Sequence, residues 1–237
     1  MRPVLLDLYC CAGGAAMGYH RAGFDVIGVD IVPRPRYPFR FVQADALAVL
    51  ADLERFMPVR PDAVHSSPPC QKDNPLTKGT NRRTRAQHHT SLTAATRDRL
   101  EALGLPYVIE QPTGSGELRE DLLLCMDMFP VDPPRVWRHR VFELSAGLAV
   151  QQLPHPKHSG RVRGWRHGVR YDGDYVAAYG NGGGKATVPE MQHALGIDWT
   201  DVREELTEAI PPAYTHHIGR YLIPHVMRPI WEKCPTP

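Results

Sequence analysis

The sequence predicts a doubly wound α/β fold. Three observations carry that prediction: short apolar runs alternate with helical segments, a glycine-rich turn follows the first run, and acidic or thiol side chains recur where the runs end. Residues 4–9 read as a buried strand, and Gly13 and Gly14 turn the chain into a helix over 15–22. Residues 26–30 form a second apolar run that ends in Asp30. A Pro/Arg-rich loop over 32–40 leads to a short run at 41–43, after which Asp45 opens a helical stretch over 46–56. Asp before such a stretch also reads as a helix N-cap. A strand at 63–65 runs into a loop carrying Cys70, residues 92–103 read as a helix, and 107–110 form a strand ending in Glu110. A further strand is expected at 140–144. Strands joined by crossovers of this length belong to a parallel sheet, whose ligands sit beyond the carboxyl ends of the strands. Asp7 with the glycines, Asp30, Asp45, Cys70 and Glu110 all fall there, which points to one shared site.

The expected organisation is a first catalytic segment over 1–144, a small insert over 145–200 rich in Gly, Pro, His and Arg, and a helical closing segment over 201–237. A chain of 237 residues can bury one full core. The five cysteines are irregularly spaced and no apolar leader precedes the first strand, so a reduced, cytoplasmic protein is expected. No stretch approaches the roughly 20 apolar residues of a membrane span. We expect a monomer with no membrane contact. No metal is expected either: His88-His89 and His216-His217 are adjacent pairs that do not share a helix face, and the sequence has no Cys-x-x-Cys.

A formal charge of +2 is too small to announce a nucleic-acid partner, but its distribution is uneven. Residues 144–171 contain no acid, while Lys157, Arg161, Arg163, Arg166 and Arg170 fall among them. A second basic stretch over 72–97 holds Lys72, Lys78, Arg82, Arg83 and Arg85 against Asp73 alone. Two local basic surfaces suit a polyanion held at a defined face.

The segments Asp7-Leu8-Tyr9-Cys10-Cys11-Ala12-Gly13-Gly14, Pro68-Pro69-Cys70-Gln71 and Glu110-Gln111-Pro112 follow one another at spacings that resemble the DNA cytosine-C5 methyltransferases. Trp137-Arg138-His139-Arg140 resembles the Arg-x-Arg segment of that family, and Leu206 to Pro212 its final motif, which packs against the Gly-rich turn. The resemblance implies a Rossmann-like sheet that binds S-adenosylmethionine (SAM) and releases S-adenosylhomocysteine. It implies cofactor contacts from Asp7, Tyr9, Cys11, Gly13, Gly14, Asp30, Ile31, Asp45, Ala46, Pro69, Glu208 and Ala209. It implies Cys70 as the nucleophile on cytosine C6, Glu110 as the group at N3, and Arg138 and Arg140 at the flipped base and a neighbouring phosphate. Double-stranded DNA is the implied partner, with contacts from Gln71, Lys72, Lys78, Arg82, Arg83 and Arg85 after the nucleophile. The insert, with Arg161, Arg163, Trp165, Arg166 and Arg170, takes the target-recognition position. Cys11, Gln111 and Glu208 depart from the usual Gly, Asn and Asn of the family. An RNA cytosine methyltransferase and a catalytically weak DNA-binding homologue are the alternatives. The compact size suits a phage or bacterial enzyme of the restriction-modification kind.

Overall fold

The computed structural model describes residues 2–69, 92–179 and 186–227, the side chain of Arg166 excepted. Its centre is a sheet built from β1 (Val4–Leu8), β2 (Asp25–Asp30), β3 (Arg40–Gln43), β4 (Ala63–Ser66), β5 (Tyr107–Pro112), β6 (Leu122–Leu124) and β7 (Arg140–Leu144). The spatial order is β3-β2-β1-β4-β5-β7-β6, with β3 through β5 parallel and the β5–β7 and β6–β7 pairs antiparallel. From β1 the chain winds outward through β2 and β3, then crosses back to β4 and β5. The crevice of such a sheet lies where that order reverses, at the carboxyl ends of β1 and β4.

Both faces of the sheet are covered. On one face α1 (Gly14–Ala22) and α7 (Pro212–Met227) bury Leu5, Tyr19, Phe142, Tyr214 and Ile218. On the other, α2 (Ala46–Ala51), α3 (Leu53–Phe56) and α4 (Thr93–Leu103) stand over Leu6, Leu8, Ile27, Val29, Val64 and Ile109. The near-continuous apolar strands follow from that double cover. The helices α1 and α7 approach so closely that a Cβ on Gly18 would lie 2.0 Å from Thr215 Oγ1. Thr215 Oγ1 also donates to Ala15 O at 2.8 Å, which docks the C-terminal helix beside the first turn of the chain.

The helical stretch expected over 46–56 is broken in two. Asp45 caps α2 by accepting from Ala48 N at 2.8 Å, and Asp52 caps α3 by accepting from Arg55 N at 3.2 Å. Strand β6 and the hairpin β8 (Gly164–Arg166) and β9 (Val169–Tyr171) escaped the sequence reading because each is only three residues long. Within the expected insert, α5 (Val188–Leu195) is set by a capping box between Thr187 and Glu190. Its Met191, Ala194 and Leu195 are buried in the same cluster as Tyr19. Next comes α6 (Arg203–Glu208). Among the described residues, no helix is long and apolar enough to cross a membrane.

Candidate active site

The first strand delivers its turn to the crevice by unusual backbone geometry. Tyr9, Cys11 and Gly13 have φ of 57°, 44° and 80°. At Cys11 the left-handed conformation costs energy that a glycine would avoid. The Cys11 N–H donates to Asp30 Oδ2 at 3.1 Å, holding the turn to the end of β2. Gly14 sits under the C-terminal segment, where a Cβ would meet Ile210 O at 2.1 Å. Trp199 Nε1 donates to Ala12 O at 2.7 Å from the same side. The segment ending in Pro212 therefore lies directly on the Gly-rich turn.

Charged groups ring the turn. Asp30 accepts from Val32 N at 2.9 Å and pairs with Arg34 Nε at 3.0 Å. Arg34 is a member of the site that the sequence reading passed over; its spacing of four residues from Asp30 was the available signal. The exposed Glu208 accepts from Cys11 Sγ at 3.7 Å, and burial pushes the Cys11 thiol up to about 12. Cys11 is thus a neutral thiol near pH 7, without nucleophilic competition from a thiolate. Asp7 is 1% exposed, and Tyr37 Oη donates to its Oδ2 at 3.3 Å. Burial, with Asp30 adding, pushes the Asp7 carboxyl up to about 8 against the hydrogen bonds from Tyr37 and Ala16. Tyr9 Oη lies 3.2 Å from Thr96 Oγ1. Ile31 is 65% exposed beside Asp30, Ala46 is buried under the Asp45 cap, and Pro69 is exposed at the end of the described β4 loop.

Glu110 lies near the carboxyl end of β5, just past its last parallel pair with β4, on the face shared with α1 and α7. It is 5% exposed, and its Oε1 lies 2.6 Å from Arg140 Nε on the neighbouring strand. Burial raises its carboxyl pKa above the usual range, opposed by Arg140, a hydrogen bond from Ser67 and the charge of Arg138. Ser67 also meets His65 Nε2 at 3.0 Å, and His65 Nδ1 meets Tyr19 Oη at 3.1 Å. A buried chain of polar contacts thus runs from α1 to the carboxyl group. Burial lowers His65 to about 3, so its ring is neutral. Only the position of His65 two residues before Ser67 hinted at this chain in the sequence. Gln111 points to the opposite face, where its Nε2 donates to Thr93 Oγ1 at the start of α4.

The two arginines of the Arg-x-Arg segment part company. Arg140 faces Glu110, but Arg138 is 6% exposed and donates to the carbonyls of Ala178, Leu206, Thr207 and Ala209. Burial, with Arg140 adding, lowers Arg138 to about 9. The Arg138 guanidinium braces the C-terminal segment, including the buried Ala209, because those carbonyls have no helical partner. Cys70, Gln71, Lys72, Lys78, Arg82, Arg83 and Arg85 lie outside the described residues. In the separate two-stranded sheet, Trp165 is 61% exposed and stands opposite Arg170. Arg161 is exposed, Arg163 pairs with Glu190 at 2.7 Å, and Arg166 is described by its backbone alone.

No family model matches the sequence, and no curated protein sequence does. Solved structures do match. The methyltransferase EhMeth of Entamoeba histolytica superposes with a TM-score of 0.57 at 12% identity, covering 96% of this chain and all of that one. The S. pombe Dnmt2 methyltransferase superposes with a TM-score of 0.54 at 12% identity, covering 95% and 98%. At that identity what is shared is the fold: this chain has the Rossmann-like architecture of those methyltransferases along nearly its whole length.

Proposed function

We propose that the chain is a SAM-dependent cytosine-C5 methyltransferase acting on double-stranded DNA. The observation that carries this reading is Glu110, a carboxyl buried at the crevice end of β5, held by Arg140 and raised in pKa. It stands one strand from β4, which leads into Pro69 and Cys70. A group in that state can donate a proton or a short hydrogen bond to a heterocyclic nitrogen.

The crevice fits the donor. Asp30 has one lone-pair site left, on Oδ1, for a ribose hydroxyl once its three protein donors are counted, and Asp45 caps α2 through a single oxygen. Exposed Ile31 offers apolar cover for an adenine, and the exposed carboxylate of Glu208 suits a cationic ligand. When bound, SAM supplies an electrophilic methyl group on a sulfonium. Cytosine C5 is unreactive toward it until C6 carries a nucleophile. Cys70 forms the sulfur–C6 bond while Glu110 protonates or hydrogen-bonds N3, offsetting the negative charge pushed into the ring. After C5 is methylated, a base removes the C5 proton and Cys70 leaves, restoring the double bond. Arg140 keeps Glu110 oriented through the cycle.

Chemistry on a stacked base requires that it be flipped out. The basic stretch after Cys70 supplies phosphate contacts, and the β8–β9 hairpin with Trp165 and Arg170 takes the recognition role within residues 145–200. So small an element reads a short site, roughly two to four base pairs. The reading is tested with a duplex containing 5-fluorocytosine, in which the C5 substituent cannot leave as a proton. Together with SAM it is expected to trap the protein as a covalent adduct mapped to Cys70, and Cys70→Ala is expected to give none. Absence of any adduct, or an adduct that survives Cys70→Ala, would overturn the assignment.

A further inference from the structure

Away from the crevice, Cys125, His139, His155 and His158 bring one sulfur and three imidazole nitrogens within 4.8 Å of one another. Cys125 follows β6, His139 precedes β7, and the last two belong to the irregular segment beyond β7. His139 Nε2 lies 3.0 Å from both His155 Nε2 and His158 Nε2, and Cys125 Sγ lies 3.7 Å from His158 Nε2. For a tetrahedral ion with bonds of about 2.0 Å to nitrogen and 2.3 Å to sulfur, the donor separations are about 3.3 and 3.5 Å. Four ligand atoms already stand near that geometry.

Hydrogen bonding among the rings does not account for the arrangement. His158 Nδ1 lies 2.6 Å from Asp127 Oδ2, which also accepts from Tyr175 Oη at 3.0 Å. With the proton on Nδ1, the neutral ring of His158 points a lone pair from Nε2 into the cluster. His139 Nε2 would then have to donate to His158, and the same proton would have to serve His155. With all three rings neutral, the His139 proton faces two acceptors, and it competes with the Cys125 thiol for the one lone pair on His158 Nε2. A cation at the centre accepts all four lone pairs at once. The carboxylate behind His158 is the usual outer partner of a metal-bound imidazole, fixing the tautomer and the ring plane. Trp137 closes the flank, its ring 5.3 Å from His158 and 4.5 Å from Tyr175.

We propose that Cys125, His139, His155 and His158 bind one divalent transition-metal ion, zinc by the softness of the donor set, as a closed structural site. Four protein ligands leave no open position for substrate. The ion ties the exit of β6 and the start of β7 to the segment that leads into the β8–β9 hairpin. His139 stands between the two arginines, and Arg140 Nη1 donates to its carbonyl at 3.0 Å. The site therefore anchors the arm that carries Arg140 to Glu110. The expectation of a metal-free chain rested on adjacent His pairs and Cys-x-x-Cys spacing, whereas these ligands come from three separate stretches of sequence.

The test uses tag-free full-length protein expressed with added zinc sulfate and analysed by elemental mass spectrometry and zinc-edge X-ray absorption. The expected result is about one zinc per chain, with one sulfur and three imidazole nitrogens in the first shell. Cys125→Ser and His155→Ala are each expected to reduce the zinc content several-fold, and Cys125→Ser to abolish the thiolate-to-metal charge-transfer band of the cobalt-substituted protein. Wild-type protein that neither carries zinc nor takes up cobalt would overturn the proposal. So would zinc retained undiminished in both variants, or a first shell without sulfur. The absorption spectrum needs only the wild type and decides the matter if a variant fails to fold.

Discussion

Asp7→Asn is expected to stabilise the protein in alkaline solution and to matter little in acid. The wild-type carboxyl is buried, and that burial pushes its pKa up from the ordinary 3.8 to about 8. A raised pKa means that the folded state holds a proton which the unfolded chain has already released. The stability that goes with that proton is fully present below about pH 4 and is lost progressively as pH rises through about 8. In that window the slope is about 1.4 kcal/mol per pH unit. From pH 5 to pH 8 the loss amounts to roughly 2–4 kcal/mol, allowing for relaxation around the buried charge. Asn has the same shape, stays neutral and still accepts from Tyr37, so the variant lacks this slope. Urea unfolding of both proteins at pH 5, 6, 7 and 8, with SAM absent, reads the difference directly. The gap should open steadily toward pH 8 in favour of Asn. Parallel pH profiles would show that Asp7 is ionised throughout and refute the reasoning.

Glu110→Gln keeps the shape of the side chain but cannot deliver a proton to N3, so methyl transfer should fall by roughly 10² or more with little change in DNA affinity. Equal rates would remove Glu110 from the chemistry. Arg138→Met strands the carbonyls of Leu206, Thr207 and Ala209, and should cost roughly 3–5 kcal/mol in urea unfolding. A loss below about 1 kcal/mol would mean that Arg138 is not the brace described above. Trp165→Ala and Arg170→Ala should change which sites are methylated, whereas replacing Arg82, Arg83 and Arg85 together should weaken binding to all sequences and flatten its salt dependence. Bisulfite sequencing of a methylated plasmid separates the two classes, and an unchanged pattern in the hairpin variants would move recognition elsewhere.

The parallel half of the fold was legible because buried strands write themselves as short aliphatic runs, and their ends are marked by Asp30, Glu110 and the glycines. That pattern put Asp7, Asp30, Asp45 and Glu110 at or just beyond strand ends, and in the structure Asp30 closes β2 and Asp45 follows β3 by two residues. Short elements were not legible: β6, β8 and β9 have three residues each, too few for periodicity to register. Nor was α5, whose apolar Met191, Ala194 and Leu195 sit in a stretch dominated by Gly and polar residues. Side-chain partnership escaped the sequence most completely. The Arg34 pairing, the Tyr19–His65–Ser67 chain and the Cys125–His cluster are set by distances between elements. Arg138 and Arg140 look equivalent in the sequence, yet Arg140 opens β7 beside Glu110 while Arg138, in the loop before that strand, donates to carbonyls of the C-terminal segment.

The measurement closest to the central claim is quantitative mass spectrometry of nucleosides after the protein has been incubated with methyl-labelled SAM and either duplex DNA or structured RNA. The account predicts labelled 5-methyldeoxycytidine from the DNA, lost with Cys70→Ala and sharply reduced with Glu110→Gln. Label in 5-methylcytidine of the RNA alone would keep the chemistry and contradict DNA as substrate. Label on any atom other than cytosine C5, or none with either substrate, would contradict the account itself.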